Sequence, residues 1–222
     1  MKEICCIISA GDVNTHLLTK MKSKYNYFIA ADAGYEKAME AGIIPSLVVG
    51  DFDSLSQPPF SHTPEANTAQ IESNVPKFIQ FPVDKDFSDT HLAIEEGRKL
   101  GYTQFEVYGA LGGDRISHSI ANLQTLCTMK KDNISVTLVG MKEKIYILNN
   151  EAITLTQPIH STFSVFSLSD KCEGVTILGA KYPLGNATLT NAFPLGVSNQ
   201  SKSETLHISV GKGFLLVVLE FQ

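Results

Sequence analysis

Tryptophan is absent from this 222-residue sequence, and charge is sparse: 18% of residues are Asp, Glu, Lys or Arg, for a formal net charge of −5. No Lys/Arg run is longer than a pair such as Lys130-Lys131. A protein that grips a nucleic-acid backbone needs a basic face, so nucleic acid is not an expected partner. A phosphorylated small ligand is compatible with the charge only if a metal neutralises much of it. Cysteine is scarce as well. Cys5, Cys6, Cys127 and Cys172 show no CxxC spacing, and no Cys/His cluster has the spacing of zinc ligands. Small, buried, reduced thiols and a cytoplasmic setting are expected.

Long apolar runs are missing too. Residues 4–10 form a mostly apolar run, but a bilayer span needs about 20 apolar residues, and Gly11-Asp12 follows without a cleavage-like site. No membrane association is expected. Spacing supports no Ser-His-Asp or Cys-His arrangement, so covalent catalysis is not indicated.

What is present is 43% hydrophobic residues, ample for a folded core. Residues 4–9, 27–31, 47–49, 78–81, 105–108 and 136–139 are short apolar or β-branched runs. Helical patterns lie between most of them, around 17–21, 35–41, 90–100 and 118–129. Continuous apolar strands alternating with helices predict a mostly parallel sheet with helices on both faces. The stretch 56–76, rich in Pro, Ser, Thr and Asn, reads as an inserted surface loop. Past residue 142 the helical period disappears. Short strands are predicted at 144–148, 152–155, 162–168, 175–178, 188–190, 205–210 and 214–221. Turn residues such as Asn149-Asn150 and Gly211-Lys212-Gly213 separate them, which points to an antiparallel sandwich or open barrel. The expected organisation is therefore an α/β domain over 1–142 and a β-sandwich over 143–222.

The most informative motif is Val48-Val49-Gly50-Asp51-Phe52-Asp53-Ser54, an apolar strand running into a D-x-D. Ionised carboxylates cannot be buried without partners. The oxygen-only pair suits a hard divalent cation, Mg²⁺ or Mn²⁺. The plain alternative is an acidic turn with Ser54 capping a helix. Other corners favour the first reading. In a parallel sheet, ligands bind beyond the carboxyl ends of the strands. Asp32 follows the 27–31 run. Asp84, Asp86 and Asp89 follow 78–81, although Asp89 could simply cap the next helix. Gly109, Gly112, Gly113, Asp114 and Arg115 follow 105–108. The Gly109–Arg115 turn, leading into a helix, can present backbone N–H groups to phosphate. It is not a Walker A loop, because no Gly-Lys-Ser/Thr follows. Arg115 and His118 can add charge-assisted bonds there, although taken alone they read more simply as a surface arginine and a histidine at a helix start.

Taken together, these motifs resemble the thiamin pyrophosphokinase family. The likeness rests on Asp32-Ala33-Gly34, on the run from Gly42 through Leu55, on Asp84-Lys85-Asp86-Phe87-Ser88-Asp89, and on Gly109-Ala110-Leu111-Gly112-Gly113 with His118 and Ala121-Asn122. It continues in Gly179-Ala180-Lys181-Tyr182-Pro183-Leu184 and Val197-Ser198-Asn199. The resemblance implies transfer of diphosphate from ATP to the hydroxyl of thiamine, giving thiamine diphosphate and AMP. It implies an ATP-binding catalytic α/β domain, a thiamine-binding β-sandwich, and a homodimer with the active site at the subunit interface. By the same analogy Asp51, Asp53 and Asp89 hold Mg²⁺, and Lys85, Asp86, Ser88 and the Gly112-Gly113 turn contact ATP; Asp32, Arg115 and His118 are further candidates for the nucleotide site. Ser198 and Asn199 would meet the thiamine pyrimidine. The chain departs from the family where Gly-Gly-Arg-x-Asp-His is usual, reading Gly112-Gly113-Asp114-Arg115-Ile116-Ser117-His118, and it carries Gln200 where an acid is common. Three rivals stand beside this reading: a pyrophosphokinase acting on another alcohol such as a pterin, a glycosyltransferase using the D-x-D, and a non-catalytic thiamine or nucleotide sensor.

Overall fold

The computed structural model describes residues 4–52, 75–84, 86–113 and 115–221. Asp53, Lys85, Asp114 and all but the last two residues of the expected loop at 56–76 lie outside them. The chain divides into two units, Met1–Thr125 with Asn133–Met141, and Leu126–Asp132 with Lys142–Gln222.

The first unit is built on six parallel strands: β1 (Cys5–Ile8), β2 (Tyr27–Ala31), β3 (Leu47–Gly50), β4 (Lys77–Gln80), β5 (Gln104–Tyr108) and β6 (Ser135–Val139). Their order is β6-β5-β1-β2-β3-β4. β1 lies between β5 and β2, and all four of its residues are fully buried. A strand covered on both faces must be apolar throughout, which explains the unbroken Cys-Cys-Ile-Ile. Register sets Ile7 beside Ile29 and Val107 on one face, and Ile8 beside Ala30 and Tyr108 on the other.

Among the described residues four α-helices accompany these strands: α1 (Thr15–Met21), α2 (Gly34–Glu40), α3 (Asp89–Lys99) and α4 (Ile116–Lys131). α3 covers the Ile7 face. Its Gly97 lies so close to the sheet that a Cβ there would meet the Phe105 ring at 2.4 Å. α2 covers the other face through Tyr35, whose ring stands edge-on to Phe78 with centroids 5.8 Å apart, in a cluster with Ala30, Val48 and Phe52. The helices-on-both-faces expectation therefore holds.

The Ile8 face also carries a polar knot. Lys24 Nζ meets Glu106 Oε1 at 2.5 Å, Tyr25 OH donates to Glu106 Oε2, and the Tyr25 and Tyr108 hydroxyls lie 2.9 Å apart. Burial holds the protons on this face and on β1. It raises the Cys5 thiol from 9.0 to about 12, and Cys6 and both tyrosines are raised as well, chiefly by burial. Unfolded, these groups would lose protons from about pH 9 upward, whereas the folded chain keeps them. The native state then binds more protons than the unfolded one, so stability is complete below that point and declines as pH rises through it. Urea midpoints should be flat from about pH 7 to 8.5 and fall steadily by about pH 11; a constant midpoint across that range would contradict this account.

Among the described residues, the strand pairs of the second unit are all antiparallel. Its strands are β7 (Glu143–Leu148), β8 (Glu151–Thr156), β9 (Thr162–Ser167), β10 (Lys171–Leu178), β11 (Leu184–Thr190), β12 (Gly196–Gln200), β13 (Thr205–Val210) and β14 (Leu215–Glu220). They form the runs β12-β9-β14-β7 and β11-β10-β13-β8. Phe163, Val165, Leu215 and Val217 from the first share a core with Cys172, Val175, Ile177, Leu206 and Ile208 from the second. β13 shows the alternation such a sandwich requires, with Leu206, Ile208 and Val210 buried and their neighbours more exposed. The last turns of α4 group with this unit, where Lys130 Nζ bonds Glu151 Oε1 at 2.5 Å. One strand, β12, was not expected from sequence. Gly-Val-Ser-Asn-Gln has no alternating apolar residues, and among the described residues the strand pairs only with β9, across a register shift between Gly196 and Asn199. Among the described residues no helix is long and apolar enough to cross a membrane.

Candidate active site

The carboxyl ends of β1, β2, β3 and β5, with the starts of α3 and α4, enclose a cleft of about 650 Å³ within the first unit. Backbone conformation at these ends decides which side chains face it. Asp32 follows β2 with a left-handed φ of 49° and is only 7% exposed. Its N–H donates to Val49 O at 2.8 Å and its carbonyl accepts from Tyr35 N–H at 3.0 Å, which fixes the corner. Phe52 is also left-handed, at φ 65°, a costly conformation for an aromatic residue. Burying its ring against Ala30, Val48 and Phe78 offsets that cost. Phe52 therefore points into the core, and Asp51 borders the cleft.

At the start of α3 the cap is Ser88, whose Oγ accepts from His91 N–H at 3.2 Å. Asp89 is the first helical residue and not the cap, so the capping alternative for it does not apply. It borders the cleft with Thr90, whose Oγ1 lies 2.9 Å from Ser9 Oγ and ties α3 to the end of β1. On the far wall, Gly112 and Gly113 both have positive φ, 74° and 77°. Arg115 and His118, both exposed, border the cleft from the end of the turn and the first turns of α4.

The structure thus gathers Asp32, Asp51, Ser88, Asp89, Gly112, Gly113, Arg115 and His118 around one cleft. Asp86 is exposed and does not border it. Asp53 and Lys85 lie outside the described residues. Among those residues, no three His, Cys, Asp or Glu side chains are grouped closely enough to hold a metal alone. Asp51 and Asp89 offer oxygen donors only. Such a pair fits Mg²⁺, which commonly takes one or two carboxylates and completes its shell with phosphate oxygens and water.

Asn122, which borders the cleft, and Asp12, which lies beside it, were not assigned from sequence. Asn122 is 6% exposed, and its Nδ2 donates to Ala110 O at 2.8 Å, holding the strand-end segment. That bond fixes the amide's orientation and leaves Oδ1 buried with no hydrogen-bond partner among the described residues. Asp12 follows β1, one residue beyond the cleft-lining Gly11, and its Oδ2 accepts from Gly113 N–H at 3.0 Å. The rule that ligands collect at strand ends could have flagged Asp12, because Ala10-Gly11-Asp12 is also a strand-end corner.

In the second unit, Ser198 is exposed in β12 at φ 56°, and its N–H donates to Ser164 Oγ at 3.0 Å. Asn199 is buried. Its Oδ1 accepts from Tyr182 N–H at 3.1 Å and Gln200 N–H at 2.8 Å, and its Nδ2 donates to Tyr182 O at 2.8 Å. The amide works here as a clamp on the Tyr182 segment.

Comparison with known proteins agrees with this geometry. Residues 18–138 match the family model described as thiamin pyrophosphokinase, catalytic domain, and residues 150–215 match the one described as thiamin pyrophosphokinase, vitamin B1 binding domain. The chain belongs to the thiamin pyrophosphokinase family. Membership makes it an enzyme, a kinase-type transferase of thiamine diphosphate formation. It is 27% identical over 202 residues to the thiamine pyrophosphokinase of Bacillus subtilis strain 168, covering 90% of each chain. The crystal structure of thiamine pyrophosphokinase from Bacillus subtilis superposes with a TM-score of 0.81 at 25% identity, over 98% of this chain and 99% of that one. Thiamin pyrophosphokinase from Candida albicans shares the fold, with a TM-score of 0.78 at 17% identity over 99% of this chain and 89% of that one.

Proposed function

We propose that this family member transfers the terminal diphosphate of ATP to the hydroxyl of thiamine, giving thiamine diphosphate and AMP. The observation that carries the reading is the convergence of Asp32, Asp51 and Asp89 with the Gly112-Gly113 turn, Arg115 and His118 around one cleft. The reaction needs a polyanion held near carboxylates, and a cation reconciles the two. Asp51 and Asp89, with Asp53 by analogy, would hold Mg²⁺, which screens the triphosphate and withdraws charge from the reacting phosphorus.

The chain's own groups supply position. Arg115 and His118, exposed at the rim, donate charge-assisted bonds to phosphate oxygens. The Thr90–Ser9 tie and the Asn122–Ala110 bond keep the two walls of the cleft in fixed relation to β1 and β5. In-line transfer depends mainly on such alignment, so no covalent intermediate is required. Thiamine is cationic and suits an acidic cleft. In this reading two copies of the chain pair, and the thiamine pyrimidine meets Ser198 and Asn199 of the second unit. Asn199 contributes by holding Tyr182, a residue 61% exposed whose ring can serve for stacking in a chain without tryptophan.

The test is product analysis with ATP, Mg²⁺ and thiamine. Thiamine diphosphate with AMP, in equal amounts and abolished by a chelator, is the expected result. Thiamine monophosphate with ADP would overturn the diphosphate-transfer step, and binding of both ligands without product would replace the enzyme with a sensor.

A further inference from the structure

The Gly112-Gly113 turn is already occupied. Gly112 N–H donates to Ser119 Oγ at 3.1 Å, and Gly113 N–H donates to Asp12 Oδ2 at 3.0 Å. A carboxylate oxygen on a glycine N–H is what a phosphate oxygen would be at the same seat. Asp12 is placed there by backbone bonds between the two loops: Gly11 N–H donates to Gly109 O at 2.9 Å and Asp12 N–H to Leu111 O at 3.2 Å. The contact is close enough that any Cβ at position 112 would lie 2.3 Å from Asp12 Oδ2.

We propose that Asp12 is a seat-holder for phosphate: its carboxylate keeps the Gly112-Gly113 turn formed while the site is empty and is displaced by a nucleotide phosphate. The inference rests on the ATP reading above. Because the zipped loops fix the backbone, displacement requires only rotation of the exposed Asp12 side chain about its own bonds. The arriving phosphate meets a like charge, and that repulsion is weaker when a divalent cation accompanies the phosphate. Asp12 therefore makes the seat selective for metal-complexed over bare polyanions, which matters in a pool where both exist. It also returns to Gly113 when the anion leaves, easing release.

The experiment measures calorimetric affinity of the full chain for inorganic pyrophosphate, with EDTA and with Mg²⁺, for wild type, Asp12→Asn and Asp12→Ala. Removing one unit charge a few ångströms from the anion at an exposed site should tighten metal-free pyrophosphate binding by about fivefold. The gain should be smaller with Mg²⁺, and it should shrink in high salt. A brace that only supports the turn predicts otherwise: Asp12→Asn, which keeps an acceptor for Gly113, would bind as wild type does, and Asp12→Ala would bind more weakly in both conditions. Either of those results overturns the proposal, as does a tightening equal with and without metal. Turnover separates this inference from the reading it rests on. Wild type that makes no thiamine diphosphate, with variants that shift pyrophosphate binding as stated, removes the reaction and keeps the seat-holder. Normal turnover with unshifted binding does the reverse.

Discussion

Asp51→Asn is expected to lower kcat by about a thousandfold or more, equivalent to about 4 kcal/mol of transition-state stabilisation, while the protein melts within about a degree or two of wild type. The substitution is nearly isosteric and retains an oxygen, so packing around Phe52 is undisturbed. What it removes is charge at the place where the polyanion and its cation must meet. Asp51 borders the cleft at the end of β3, and its backbone carbonyl accepts from Gln80 Nε2 at 3.4 Å, so the β3–β4 strand pair holds its backbone in place. A neutral amide is a poor ligand for Mg²⁺, which favours anionic oxygen. Raising Mg²⁺ should recover part of the rate in Asp51→Asn and none in a variant that has unfolded. Activity near wild type at ordinary Mg²⁺ would remove the D-x-D from the catalytic assignment.

The same residue shows how far the sequence could be read. Asp51 was legible because it directly follows an unbroken apolar run that ends in glycine, and strand ends in a parallel sheet are where ligands sit. That argument also reached Asp32, Asp89 and the glycines after β5, since each is fixed by its own local strand. It could not reach the way one corner holds another. The bond from Gly113 to Asp12 joins loops 101 residues apart, and nothing local in Ala10-Gly11-Asp12 signals it. β12 was hidden for a different reason. An edge strand with a register shift buries little, so its composition carries no period, and Ser198 takes a left-handed φ there. Asn199 could be picked out in sequence as a polar residue in a recognisable motif. That its amide is engaged by Tyr182 and Gln200 is visible only once β12 has folded.

Glu106→Ala should be the most damaging single change outside the cleft, costing about 3 kcal/mol and lowering the melting midpoint by roughly 6–12 °C. Glu106 lies in β5 with only 8% exposure, a position where an unpaired carboxylate could not survive. It is tolerated because Lys24 meets one oxygen and Tyr25 donates to the other. Removing the carboxylate leaves the Tyr25 and Tyr108 hydroxyls with only each other and opens a void beside β1. The partners are not equivalent. Lys24 keeps 35% of its side chain exposed, so Lys24→Ala lets water approach and leaves the Tyr25 bond intact. It should cost less, about 1–2 kcal/mol. Because the two residues touch, the double variant should cost less than the sum of the singles. Strict additivity, or a Glu106→Ala loss below about 1 kcal/mol, would mean that the knot behaves as a solvated surface pair. The expected ordering instead makes it the device that lets a charged residue occupy the strand that presents Gly109 and Ala110 to the cleft.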